Sequence, residues 1–598
     1  MAQSHKRYQD GLSTSGLLAE FTTPKEKPIL IGPPMEGLNW YDAQANVGIN
    51  ETPYCTNARI GRGYLRPRPG LTLNYTFTGE TVMYIREHTT RAGQTYLLVI
   101  TNKSIYKSTD FTTYTRIPWY YSTGTVTTVE PSATVEGAST VWLTNAHAGD
   151  LFKCDADGTW FTIDSITDND TLVLTAGYTP SRAGVAYKID RYLSGTTADT
   201  FWGLTIADAD WFVFCNGVDP VLYLDENMDV VYTLYSIPAK YGTTWADRLI
   251  LGYTTESAVV YGYRMRYSVA ADYDNFTGTG SGYHDFMDDP YDITGYSIIS
   301  DTLVVYKTDS IFNVTRTGKA SAPFDYKLKV PGIGNYIPGH LVSLGDADVF
   351  TGSDNFYTYD LRSPVAIGDK VKDRFLDQLN PNALDICHAL VCEEDSEIQF
   401  YYCSVASTTP DRALVWNYDL NAFTSEWLIN TNCSGYASYV TTGTWDSMTQ
   451  TWDEVGAPWD SSTVVAARPL NMLGYGAYLY ILDTNSTSDN GTDFTMEWWT
   501  KQIVSADETK FVSVYRIVLA YYCSSPTTLY VDLSPDGGNS WYYSRTLTLT
   551  STVQDKLQYI KADFISSYNS VTARIRCTAG GYYKIINVKL EAVPAGEI

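Results

Sequence analysis

Short apolar runs separated by polar turns recur along this chain, and the clearest is LVVYKTDSIFNV, from Leu303 to Val314. Leu303, Val304, Val305 and Tyr306 form one run, Lys307, Thr308 and Asp309 a polar turn, and Ile311, Phe312 and Val314 a second run. Strand formers on both sides of a short turn containing Asp predict a β-hairpin, because the turn reverses the chain and each run offers two faces. Similar units begin near Tyr96, Trp211, Leu249, Asp348, Ile398 and Ala477. No sustained stretch places apolar residues at three- and four-residue spacing, so helices are expected to be few and short.

The spacing of these units predicts how they are assembled. From 120 to 190 the chain changes to alternating Thr/Val strands with tight turns at Asp157-Gly158 and Asn169-Asp170 and its own aromatic positions, Trp142, Phe152, Trp160 and Phe161. That stretch reads as an inserted small β-barrel-like domain. With it set aside, the units at Tyr96 and Trp211 lie about 45 residues apart, as do Leu303 and Asp348. A period of about 40–50 residues, each holding a few antiparallel strands, is that of β-propeller blades. The fold class expected is all-β: a propeller of six or seven blades, the inserted domain, and a C-terminal β-sandwich. The boundaries are an N-terminal arm at 1–28, a first propeller segment at 29–119, the insertion at 120–190, a second propeller segment at 191–483, and the sandwich at 494–598. The polar TNSTSDNGTD after Asp483 reads as a linker, and the strands beyond it alternate cleanly with period two.

Length, charge, cysteines and the start of the chain adjust this picture. With 598 residues the chain is too long for one ordinary core. The balance of 42 Lys+Arg against 67 Asp+Glu, net −25, is not the signature of a protein that grips nucleic acid by its phosphates, and suits either a surface to which polyanions do not stick or solubility alone. The nine cysteines form no Cys-x-x-Cys pair and several sit in apolar runs, so they read as small buried hydrophobes of a reducing compartment. The start, MAQSHKRYQDGL, lacks the apolar core of a signal peptide, and no stretch approaches a membrane span. A chain made as a soluble cytosolic protein is expected.

Candidate chemistry is sparse. Ser534, Asp536, Gly538, Ser540 and Trp541 match the Asp-box pattern S-x-D-x-G-x-T-W, with Ser in place of Thr. The box is a hairpin turn in which Asp caps backbone amides and Trp packs beneath, so the reading is structural. Trp445, Trp452 and Trp459, each followed by Asp, recur at intervals of seven within 444–461. They fit either a contact ladder for a partner or a sugar, or a self-packed loop. Arg59, Arg62, Arg66 and Arg68 form the densest basic spots. They fit an interface, proximity to DNA, or the bridging of loops.

The carboxylate pairs Asp288-Asp289, Glu393-Glu394 and Asp272/Asp274 are expected by chance among so many acids. Cys387 and His388, adjacent in a strand, point to opposite faces, which argues against joint metal ligation with Cys392. No catalytic residue, cofactor or metal is expected, and the chain is not read as an enzyme.

The order of several motifs resembles a known family. PPMEGLNWYDAQANV with CTNARIGRGYLRPRPG, then RMRYSVAADYDNF and ISDTLVVYKTDSIFNVTRTG, then GDADVFTGSDNFYTYD and ALVWNYDLNAFTSEW, are similar to the tail hub or nozzle proteins of short-tailed bacteriophages. These are also called packaged-DNA stabilisation proteins. The resemblance implies a structural virion protein in a six-copy ring below the portal and adaptor. The ring forms the channel in which the genome is retained and through which it is ejected. It implies assembly in the host cytoplasm, with the adaptor ring, tail fibre or spike proteins, and passing DNA as partners, and no membrane insertion. A carbohydrate-binding or carbohydrate-cleaving propeller for host attachment is the alternative.

Overall fold

The computed structural model describes residues 27–319, 322–439, 468–484, 486–504, 510–524, 526–550, 557–578 and 583–597. The Trp-Asp stretch with Trp445, Trp452 and Trp459, and nearly all of the N-terminal arm, lie outside the described residues.

Five four-stranded antiparallel sheets, at 82–117, 202–235, 239–285, 293–331 and 342–366, and the first four strands of a ten-stranded sheet, at 388–428, are each built from consecutive strands. These are the first to sixth blades of a β-propeller. A further sheet of the same build joins Cys433–Tyr439, Arg468–Tyr475 and Tyr478–Asp483 to Gly70–Thr76, which pairs with Tyr478–Asp483 as the fourth strand. Gly70–Thr76 directly precedes the first blade in sequence yet is paired in the last, so this seventh sheet seals the ring. Buried apolar layers lie between neighbouring blades. Phe212 and Phe214 meet Leu98 and Ile100 between the first two blades, and Met472 and Leu479 meet Val82 and Val99 across the seam. A propeller requires this, because each blade is too small to bury its two faces alone.

The first strand of each blade is innermost. Its packing is tight enough at two places to require glycine. A Cβ on Gly435 would lie 2.4 Å from the carbonyl oxygen of Ile85, and one on Gly203 would lie 2.7 Å from the Phe212 ring. The hairpin of LVVYKTDSIFNV forms the second and third strands of the fourth blade, with Leu303 opposite Val314 and Tyr306 opposite Ile311. Its turn is shorter than the pattern predicts. Lys307 belongs to the strand, fully buried, with Nζ 2.8 Å from the Phe286 carbonyl and 2.5 Å from Asp289. A long side chain that finds a carbonyl and a carboxylate at its tip tolerates burial that its charge alone would forbid.

Between the first and second blades, 120–190 forms one eight-stranded sheet around its own core, including Trp142, Phe152, Leu172, Tyr178 and Tyr187. Arg182–Val185 ends the strand order at one side and Tyr187–Asp190 lies near the other, yet Ala186 alone separates them in sequence. The sheet must therefore curl on itself.

The chain ends differ from the expected division. Of 29–119, the stretch before Gly70 lies outside the blades: Lys27–Ile31, Ala58–Gly61 and Tyr64–Pro67 share a sheet with Lys510–Cys523, Gln558–Tyr568 and Tyr583–Glu597. The facing sheet, Met496–Trp499, Ser570–Cys577, Thr527–Ser534 and Tyr542–Leu549, continues through Cys55–Thr56 into the outer strand of the sixth blade, Ala422–Leu428. One apolar core runs from Val349, Phe356 and Phe400 of the blades to Val514, Val531 and Ile575 of these two sheets. The expected linker is also held: Ser488–Asp489 pairs with Thr492–Asp493 and joins Gly70–Thr76.

Candidate functional site

The innermost strands enclose a partly open cavity of about 1150 Å³ near the propeller axis. Its walls come from the first blade (Met83 to Arg86), the second (Trp202, Gly203), the fifth (Val342, Ser343), the sixth (His388 to Val391) and the seventh (Cys433 to Tyr436). Since inner strands run in one direction, the residues that precede them mark one mouth and those that follow mark the other. Asp199 and Asp385 line the first mouth, Asp346 and Glu393 the second, and Arg86 is a basic group on the wall.

Asp385 is held 2.9 Å from Lys240 of the third blade, and its carbonyl accepts a hydrogen bond from the Thr200 hydroxyl at 2.8 Å. The Arg86 guanidinium lies 6.0 Å from the Tyr436 ring centroid. His388 stacks on Tyr401 at 4.9 Å, with Nδ1 3.2 Å from the Ile386 carbonyl. Its enclosure in the wall lowers its pKa to about 4, so it is neutral near pH 7. Its Nε2 has no hydrogen-bond partner among the described residues. The arrangement is a partly open cavity with apolar and aromatic walls and carboxylates beside both ends of the inner strands. Among the described residues, no group of three or more His, Cys, Asp or Glu side chains is placed to hold a metal ion.

Charge is distributed unequally between the propeller ends. In an antiparallel four-stranded blade the first and third turns lie at one end and the second at the other. The described first and third turns carry Asp110, Asp208, Asp210, Asp225, Glu226, Asp229, Asp247, Asp272, Asp274, Asp301, Asp346, Asp360, Glu393, Glu394, Asp395 and Asp419, against Arg91 and Arg362. The second turns carry Asp219, Asp309, Asp354 and Asp411 against Lys103. The connections between blades, which lie at the same end, add Glu80, Asp199, Asp288, Asp289, Asp292, Asp369, Asp373, Asp377 and Asp385 against Arg191, Lys370, Lys372 and Arg374, so both ends are acidic and the first is the more so. Some of the first group are paired, as Asp229 is with Lys107 at 2.6 Å and Asp419 with Arg62 at 3.2 Å. Glu226, Asp247, Asp346, Glu393 and Glu394 are exposed and have no ion pair among the described residues.

The candidate residues fall in separate places. Arg59 and Arg66 meet on Asp395, at 2.6 and 3.0 Å, and Arg59 also lies 3.0 Å from the buried Glu397. Arg68, with no exposed side chain, reaches Asp489 at 2.5 Å, Asn57 at 3.0 Å and the Leu428 carbonyl at 3.2 Å. These three arginines tie the N-terminal strands to the sixth and seventh blades. Arg62, with 76% of its side chain exposed, is the outward one of the four.

The Asp-box is a closed turn. Ser534 Oγ accepts from the Gly538 amide at 2.7 Å, Asp536 Oδ1 accepts from the Ser540 amide at 2.8 Å, and Ser540 Oγ donates to Asp536 Oδ2. The Ser540 hydroxyl, the Ser534 hydroxyl at 2.7 Å and the Ser540 amide hold the Asp536 carboxyl down to about 2. Gly537 and Gly538 supply the positive φ angles, 68° and 95°. Trp541 packs edge-on against Trp499 at 4.9 Å, beneath Arg574 at 4.1 Å.

The carboxylate pairs stand apart, Asp272/Asp274 and Glu393-Glu394 in turns of the third and sixth blades and Asp288-Asp289 in the connection between the third and fourth. Asp289 belongs to Lys307 and Ser310. Asp274 is held above the usual carboxyl value by partial burial and by Asp272 beside it. The hydrophobic pattern does not single out the cavity residues Tyr84, Trp202, Asp385 and His388 as a group. They come from three blades, and only the period itself signals that first strands converge on one axis.

No family model matches this chain, and no curated protein matches it. Among solved structures it is similar to an exo-β-1,3-galactanase from Phanerochaete chrysosporium solved with galactose, at 9% identity over 88% of this chain and 100% of that one, TM-score 0.19. It is also similar to Raptor from Chaetomium thermophilum, at 7% identity over 70% of this chain and 29% of that one, TM-score 0.25. Neither likeness bears on activity or partners.

Proposed function

We propose that this chain is a structural subunit of a bacteriophage tail hub or nozzle, one of the copies that wall the channel in which DNA is retained and then ejected. The observation that carries the reading is the more acidic end of the propeller, whose turns hold sixteen acids against two bases. A duplex that must slide past a wall is served by like charge, since binding would require clustered Lys/Arg to displace its counterions. The motif order at 30–430 supports the same reading. Imaging of particles containing this chain tests it: a ring on the tail axis is expected, and a chain located off the axis overturns the reading.

The axial cavity favours a second reading, a carbohydrate-binding propeller. Aromatic side chains at Tyr84, Trp202 and Tyr436 beside carboxylates suit the apolar faces and hydroxyls of a sugar. Glycan-array binding that is lost on Trp202→Ala, with the ring absent from particles, would favour this reading over the channel.

A further inference from the structure

We propose that the outer hairpin of the fourth blade, Ser310–Lys319 with Ala322–Pro331, is a docking arm that seats on the acidic turns of a second copy of this chain. The inference rests on the channel reading, which requires copies side by side, and it assigns the surfaces that meet.

The hairpin stands out from its blade. The second strand of the blade begins at Thr302, and Leu303 faces Val314, yet the third and fourth strands pair onward to Lys319 opposite Ala322. Ala322–Pro331 ends the strand order of this sheet. Lys327, Leu328 and Lys329 are consecutive and all exposed. Because neighbouring residues of a strand point to opposite faces, both faces of this edge are open.

Its charge is opposite in sign to that of the chain. Arg316, Lys319, Lys327 and Lys329 stand against Asp325 in a protein of net charge −25. Arg316 is occupied by Asp301 at 3.1 Å, whereas the three lysines have no ion pair among the described residues. Lysines on an edge strand oppose extension of the sheet by another strand, so the contact is one of side-chain charge.

The acceptor is the turn cluster of the second and third blades, Asp225, Glu226, Asp272 and Asp274. Tyr223, two residues before Asp225, and Tyr273, between Asp272 and Asp274, both pack on Trp211, at 4.4 and 6.4 Å, which sets the two turns side by side. Burial with the charges of Asp225 and Asp274 raises the Tyr223 hydroxyl pKa. Asp272 and Asp274 crowd one another, a repulsion that an arriving ammonium would relieve. Arm and acceptor are different surfaces, so the contact is head-to-tail and propagates from copy to copy, as a ring requires.

The test is sedimentation of the full chain at low and high ionic strength, alone and with the adaptor ring. The wild type is expected to self-associate, and association should weaken about tenfold or more in high salt. Reversal by Lys319→Glu, Lys327→Glu and Lys329→Glu should leave monomer. Adding Asp225→Lys and Glu226→Lys to that variant should restore association. Circular dichroism checks the fold, and the neutral Lys→Gln triple variant gives the same reading if the reversed one unfolds.

A wild type that stays monomeric even with the adaptor overturns both this contact and the channel. A triple variant that associates like wild type overturns the arm alone. If that variant instead loses affinity for a short DNA duplex while still associating, the arm serves a polyanion and the proposal fails.

Discussion

The inserted sheet at 120–190 and the two-sheet unit at the C-terminal end are both strand-rich and alternate cleanly, yet they are stabilised in opposite ways. The insertion draws all eight strands and its whole core from one stretch. The C-terminal unit borrows Lys27–Ile31, Ala58–Gly61 and Tyr64–Pro67 from the other end of the chain and shares a sheet with the sixth blade. The first should respond to damage locally. The second should transmit damage to the propeller, because its sheet and core are the propeller's own.

The largest expected effect falls on the ties between these regions. Arg68→Met leaves Asp489 without its main partner and takes a donor from the Leu428 carbonyl and from Asn57 Oδ1, which keeps only the Leu428 amide. Breaking a buried pair in this way costs about 3–5 kcal/mol. In a thermal melt the propeller and C-terminal signals should drop together; a drop confined to one would break the comparison.

Trp142→Ala removes the largest buried side chain of the insertion and its hydrogen bond to Tyr187 at 2.9 Å. A loss of about 3–5 kcal/mol is expected, but hydrogen exchange should accelerate within 120–190 and leave the blades protected. Exchange that spreads into the first blade would show that the insertion is not independent.

A smaller, pH-dependent effect is expected at Glu397. Burial pushes its carboxyl up to about 7, against the opposing pull of Arg59. With the folded value above the unfolded one, the contribution is fully present below the unfolded value of 4.5 and is lost as pH rises through 7. Wild type should therefore lose stability relative to Glu397→Gln between those two pH values, read as the difference in their urea midpoints. A constant difference would place the charge on Glu397 throughout.

The smallest effect is expected from Asp536→Ala. The lost caps loosen one exposed turn, so the melting temperature should fall only slightly and the propeller should not change. A fall as large as that of Arg68→Met would mean that the Asp-box supports the whole two-sheet unit through Trp541 and Trp499.

Local alternation in the sequence determined where strands and hairpins form. Every unit from Tyr96 to Ala477 falls on the second or third strand of a blade, since those strands are buried on both sides and carry the densest apolar runs. The turn-rich stretch at 120–190 was legible for the same reason, as all its partners are near in sequence. Which distant surfaces meet is settled by the fold as a whole.

Gly70–Thr76 falls in the segment 29–119, ahead of the first repeat at Tyr96, but pairs with Tyr478–Asp483, because the seventh blade lacks a fourth strand of its own. Arg59, Arg66 and Arg68 read as basic spots, yet the acids that neutralise them lie more than 300 residues away. The bulge between Val514 and Arg516 moves the inward positions from Val512 and Val514 to Ile517, Leu519 and Tyr521. The physical reason is common to all three. Apolar periodicity is a property of a strand, whereas pairing, closure and charge neutralisation depend on what the rest of the chain brings alongside it.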